Sequence, residues 1–94
     1  MYKQGQVLEL PKGEGRVVLL YTGSNPPYQH NFRDITPSSD SFGMQVILED
    51  GTEFTEWAIG VANELGVLKE RHIRKLMENP EKAAGILKKI GYKN

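Results

Sequence analysis

Arg16-Val17-Val18-Leu19-Leu20-Tyr21 is the stretch that decides the fold. It is rich in β-formers and runs apolar from Val17 to Tyr21 without alternation, the pattern of a strand covered on both faces and central in its sheet. Immediately before it, Pro11-Lys12-Gly13-Glu14-Gly15 has the composition of a turn, and Val7, Leu8 and Leu10 open a shorter strand. The segment therefore reads as a hairpin.

A second hairpin is predicted from Gly43-Met44-Gln45-Val46-Ile47-Leu48, the turn Glu49-Asp50-Gly51-Thr52, and a returning strand at Glu53-Phe54, because Asp-Gly tolerates the positive φ of a tight turn. Between the two hairpins lie residues 22–41, which hold Pro26, Pro27 and Pro37. A loop this long is uncommon in a compact domain unless it is functional or hides an element. Tyr28, His30 and Phe32 alternate, which fits a short edge strand over Tyr28 to Ile35, whereas Thr36 to Ser41 reads as loop.

From Thr55 the apolar period changes from two to about 3.6. Thr55 is the expected cap of a helix with the stripe Trp57, Val61, Leu65 and Leu68, and Gly66 is its expected stop. A second helix is predicted over Lys69 to Glu78, with Ile73, Leu76 and Met77 inward and Arg71, Arg74, Lys75 and Glu78 outward. Asn79-Pro80-Glu81 has a capping side chain, a proline where its missing N–H is harmless, and an acid, so it starts a third helix that buries Ala83, Ile86, Leu87 and Ile90 and closes at Gly91. Strands first and helices last argue for an α+β domain. We expect one domain over residues 1–94: a small antiparallel sheet of three to five strands, barrel-like if it closes, in 1–54, and two or three helices covering one face in 55–94.

With 94 residues, 38% of them hydrophobic and 26% charged, the chain is long enough for one core and too short for two. The absence of cysteine excludes disulfides, thiolate catalysis and cysteine-ligated zinc. The opening Met1 to Gln6 lacks the apolar run of a signal peptide and no segment is long enough to span a bilayer. A soluble, cytoplasmic protein with no membrane association is expected.

The formal net charge of zero conceals a split. Residues 1–68 carry 4 Lys/Arg and 9 Asp/Glu, a balance of 4 − 9 = −5, and residues 69–94 carry 8 and 3, a balance of 8 − 3 = +5. Such asymmetry points to an electronegative partner. Lys69, Arg71, Arg74, Lys75, Lys88 and Lys89 are the candidate phosphate contacts for a nucleic acid. The alternatives are a solvated helix face, in which Glu70 and Arg74 form an ordinary i,i+4 pair, and docking of the tail on the acidic part of its own domain or of a second copy.

Ala62-Asn63-Glu64-Leu65-Gly66-Val67 resembles the turn of a helix-turn-helix, with an alanine four residues before a glycine. That resemblance would place Lys69, Arg71, Arg74 and Lys75 on a recognition helix. His72 stands where the pattern wants an apolar residue, and a plain helical hairpin closed by Gly66 is the favoured alternative. Lys3 to Leu8 together with Gly13 to Val18 resembles the first hairpin of SH3-like small barrels, which implies a binding module without assigning its function.

Residues 22–41 supply Tyr28, His30, Phe32 and Arg33 as candidate contacts to a protein partner, since loops place varied side chains on a rigid frame. His30 with Asp34 is the nearest approach to an acid–base pair, and His30, Asp34 and Asp40 match no recurrent metal spacing. Trp57 reads as a core anchor. No nucleophile–base pair stands at an informative spacing, and nothing calls for a cofactor. The sequence thus leaves two non-catalytic readings: a nucleic-acid-binding module using the basic C-terminal helices, or a small regulatory protein that engages another protein through residues 22–41 and the acidic sheet face.

Overall fold

The computed structural model describes residues 2–24 and 28–93. Five strands form one sheet: β1 (Gln6–Lys12), β2 (Gly15–Ser24), β3 (Gln29–Asp34), β4 (Gln45–Glu49) and β5 (Asn63–Val67), in the order β4-β3-β2-β1-β5 with every neighbouring pair antiparallel. The expected Arg16–Tyr21 strand is β2, at the centre. Its side chains alternate between two cores: Val18 and Leu20 enter one, and Val17, Leu19 and Tyr21 the other. A strand with apolar layers on both sides needs no polar positions, which is why its run is unbroken. The sheet is α+β in its connections and is not closed into a barrel; β4 and β5 are its edges.

Residues 22–41 do hide a strand, β3, but it lies between β2 and β4 rather than at an edge. The Asn25-Pro26-Pro27 part of that segment lies outside the described residues. The rest of the segment is held by Asp34, which is 3% exposed and accepts from the Thr36 amide at 2.8 Å and from the Ser41 hydroxyl at 2.6 Å.

The second expected hairpin is instead a strand, a turn and a helix. Gly51 takes a positive φ of 84°, as the Asp-Gly reading requires, but α1 (Glu53–Val61) follows it. Thr52 is the cap, its Oγ1 accepting from the Thr55 amide at 3.1 Å, so the helix starts before the Thr55 expected from sequence. It also ends early. Ala62 leaves the helical conformation and residues 63–67 become β5, paired with β1, where Leu65 and Gly66 continue no helix. The helix-turn-helix resemblance fails at this point, because its turn is a strand. The physical reason is the open edge of β1: its unpaired backbone groups accept a partner strand that the local sequence only weakly opposes.

Following the antiparallel pairs across the sheet, β4 and β5 run in the same direction on opposite edges. Those edges lie about 19 Å apart, from four strand spacings of about 4.8 Å. The nine residues of α1 span about 13.5 Å. The helix must therefore cross over one face to link them. Its inward stripe is small, with Thr55 and Ala58 buried and Ala62 packed beside them, while Trp57 is 45% exposed and is no core anchor.

The opposite face is covered by α2 (Glu70–Glu78) and by Pro80–Lys82, a 3₁₀ turn, leading into α3 (Ala83–Lys88). Leu76, Ala83, Ile86 and Leu87 are buried there against Val7, Val18 and Leu20, with Ile73, Met77 and Ile90 beside them. The helices are thus divided between both faces, not stacked on one. Asn79 closes α2 rather than capping the next helix, since its side-chain amide donates to the Lys75 carbonyl at 3.3 Å. Gly91, at φ 106°, terminates α3 as expected: the Tyr92 amide reaches back to the Leu87 carbonyl at 3.1 Å, and Tyr92 and Leu87 share the core. No helix among the described residues is long and apolar enough to cross a membrane.

Candidate functional site

The six basic residues singled out from sequence are all exposed on the α2–α3 face: Lys69 just before α2, Arg71, Arg74 and Lys75 on it, and Lys88 and Lys89 at the end of α3. They are not equivalent. Arg74 makes an i,i+4 ion pair with Glu70 at 3.4 Å, with both side chains exposed. Lys69, Arg71, Lys75 and Lys89 instead converge electrostatically on His72. Partial desolvation, followed by the charges of Arg71, Lys89, Lys69 and Lys75, holds this imidazole below the ordinary histidine range. Lys89 directly follows α3, which packs against α2, so a cation from a second helix joins those of α2 around His72. The stripe on α2 that the sequence makes legible becomes a two-helix patch only through the fold.

Part of the tail docks on its own sheet. Tyr92 packs into the core on this face, and the Arg16 guanidinium lies over its ring at 4.6 Å. Arg16 also sits 2.7 Å from a Glu9 carboxylate oxygen, close but not aligned as a hydrogen bond. The contact uses Tyr92 and leaves the lysines facing water.

The 22–41 candidates separate. Tyr28 is 58% exposed. Phe32 is fully buried in the core beneath α1, and so is a packing residue with no surface to offer a partner. Arg33 donates from Nη1 to the Gly43 carbonyl at 2.7 Å, which fastens the loop between β3 and β4. His30 does not meet Asp34; its Nε2 lies 2.8 Å from Asp50 Oδ1 across the β3–β4 pair, while Asp34 is committed to Thr36 and Ser41. Around His30, Tyr2, Tyr21 and Phe32 form an aromatic cluster with Tyr2 ring centroids 5.2–5.5 Å from its three neighbours. Burial, with a contribution from Asp50, raises Tyr2 above the ordinary phenol range. Among the described residues, no three or more His, Asp or Glu side chains come together as a metal-binding group.

One surface was not legible in the sequence. Because α1 covers its face of the sheet with small residues and crosses it at one side, an open groove of about 710 Å³ remains between α1 and the β1–β2 turn. Leu10, Val17, Leu19 and Val46 form its floor, Phe54 and Trp57 form one wall with ring centroids 5.7 Å apart, and Met44 lies at its margin. The only signal for it in the chain is that Phe54 and Trp57 stand at i, i+3 beside the small stripe Thr55, Ala58 and Ala62, so that the large side chains point away from the buried side.

No known protein family matches the chain, and neither a curated protein nor a solved structure shows significant similarity to it.

Proposed function

We propose that the protein is a non-catalytic binding module that sets its basic α2–α3 face against the phosphates of a nucleic acid. The observation that carries this reading is that Lys69, Arg71, Lys75 and Lys89 stand exposed on α2 and at the end of α3 without an ion-pair partner among the described residues. Like charges gathered on a solvated surface repel one another, and a polyanion relieves that repulsion while releasing its own counterions. Lys88 extends the patch, and Arg74, already paired with Glu70, contributes less. Contacts of this kind position a protein on a backbone without reading bases.

The test is a titration of labelled duplex DNA, single-stranded DNA and RNA at about 50 and 200 mM salt. Four phosphate contacts predict micromolar binding that weakens by about 100-fold over that range. The triple change Arg71→Glu, Lys75→Glu and Lys89→Glu abolishes it in a protein that circular dichroism shows to be folded, whereas Arg74→Glu alone has a smaller effect. Absence of binding to all three nucleic acids at low salt contradicts the proposal.

A second reading, a protein-interaction module, is favoured by the apolar groove on the opposite face. It moves the contact surface from residues 22–41, where Phe32 is buried and Arg33 is engaged, to the apolar groove beside α1 lined by Met44, Phe54 and Trp57.

A further inference from the structure

Strand β4 is an edge of the sheet, and one side of its backbone faces outward. The Asp34 amide donates to the Met44 carbonyl and the Asp50 amide to the Tyr28 carbonyl, so the backbone bonds to β3 at both ends of the strand. The β3–β4 register runs over Gln45–Glu49 without a shift, and an antiparallel ladder alternates, so Val46 and Leu48 also turn to β3 while Gln45, Ile47 and Glu49 turn outward. The Glu49 carbonyl is taken by the Thr52 hydroxyl at 3.1 Å. Both backbone groups of Ile47, the Gln45 carbonyl and the Glu49 amide have no partner among the described residues. The opposite edge is blunted, because β5 is interrupted by a register shift against β1 and by Gly66, with Ile90 packed beside it. Strand β4 has no proline, glycine, lysine or bulge, and Ile47 at its centre is 47% exposed.

We propose that β4 pairs with β4 of a second copy of this chain, antiparallel about a twofold axis through Ile47, joining two sheets into one. The edge is self-complementary in that register. Ile47 meets the same residue of the second copy, exchanges both backbone bonds with it, and the two exposed side chains cover each other. Gln45 falls opposite Glu49. That is the pairing Gln29 and Glu49 already make across β3 and β4, where the amide donates to Oε1 at 2.9 Å and leaves Oε2 for the second glutamine. The two Glu49 side chains stand about 13 Å apart along the strands, beyond a Debye length at physiological salt, so they do not oppose the pairing. A foreign strand meets the same backbone groups without this match built in. Two strands of five residues bury less than a standard interface, so the dimer is weak, with a dissociation constant of about 10–500 μM.

Amide hydrogen exchange read by NMR from about 20 μM to 1 mM protein, with sedimentation equilibrium over the same range, tests this. Exchange at the Ile47 and Glu49 amides slows by at least about twofold as the dimer forms, while the Val46 and Leu48 amides, bonded to β3, are protected at every concentration. Ile47→Lys and Ile47→Glu, both folded by circular dichroism because the position is exposed, are each monomeric, and an equal mixture of the two dimerises because opposite charges then face each other across the axis. A monomer at 1 mM, a dimer that persists in Ile47→Lys, or a mixture that stays monomeric overturns the proposal. Protection of the same amides by an added extended valine–threonine peptide, with the protein alone monomeric throughout, overturns it in favour of a foreign strand.

Discussion

A methyl group at position 5 would stand 2.6 Å from the Leu68 carbonyl oxygen, where the chain entering β1 passes under the end of β5. Gly5 also has a φ of 90°, so Gly5→Ala combines backbone strain with a clash against rigid backbone. Gly13, at φ 58° in the β1–β2 turn, has nothing within 4 Å of the same added atom. Urea denaturation should show Gly13→Ala costing about 1 kcal/mol and Gly5→Ala clearly more, about 3 kcal/mol; equal costs would contradict the close approach. The glycines of the turns were legible as turn residues, but the clash at Gly5 depends on a strand pairing sixty residues away in the chain. His72 carries the second residue-scale prediction. Its folded-state pKa is depressed, so the unfolded chain binds the proton more readily and the folded state loses stability as pH falls through the unfolded value near 6.5. Denaturation at pH 5.5 and 7.5 should show this dependence reduced in His72→Gln. A docked polyanion offsets the neighbouring cations and raises the same pKa, so nucleic-acid binding should tighten as pH falls over that range.

The elements differ in how far the sequence determines them. Strand β2 and helix α2 follow from local pattern, because a two-sided apolar run and a single-faced stripe of Ile73, Leu76 and Met77 each admit one arrangement. Helix α1 misleads because its conspicuous residues face outward. Trp57, Val61, Leu65 and Leu68 have helical spacing, yet Trp57 and Val61 are exposed, Leu65 lies in β5, and the true inner stripe is Thr55, Ala58 and Ala62. Small residues there let the helix lie close on the sheet as it crosses. Ala58 is 1% exposed, so Ala58→Leu should lift the helix and cost about 1–3 kcal/mol, while Trp57→Ala should cost about 1 kcal/mol or less. A loss of 3 kcal/mol or more for Trp57→Ala in thermal or urea unfolding would restore it to the core. The capture of residues 63–67 by the edge of β1 is likewise a tertiary effect, since no residue in that stretch announces a strand by itself.

At the scale of the whole molecule the sheet separates two unlike surfaces. The α2–α3 layer carries the cations of the basic half, and the other face carries α1 with Glu53, Glu56 and the exposed rings of Phe54 and Trp57 beside an apolar groove. The α+β class and the charge split are legible in the chain. The division of helices between faces is not, because it follows from the crossover of α1 from one sheet edge to the other, and so neither is the groove that this crossover leaves. Backbone amide shifts mapped by NMR during titration with a short DNA duplex test the central claim, that phosphates meet the basic face, most directly. The account predicts perturbations concentrated at residues 69–75 and 88–89, with His72 among the largest, and none along Phe54 and Trp57. Perturbations centred on Met44, Phe54 and Trp57, with residues 69–75 unmoved, would contradict it.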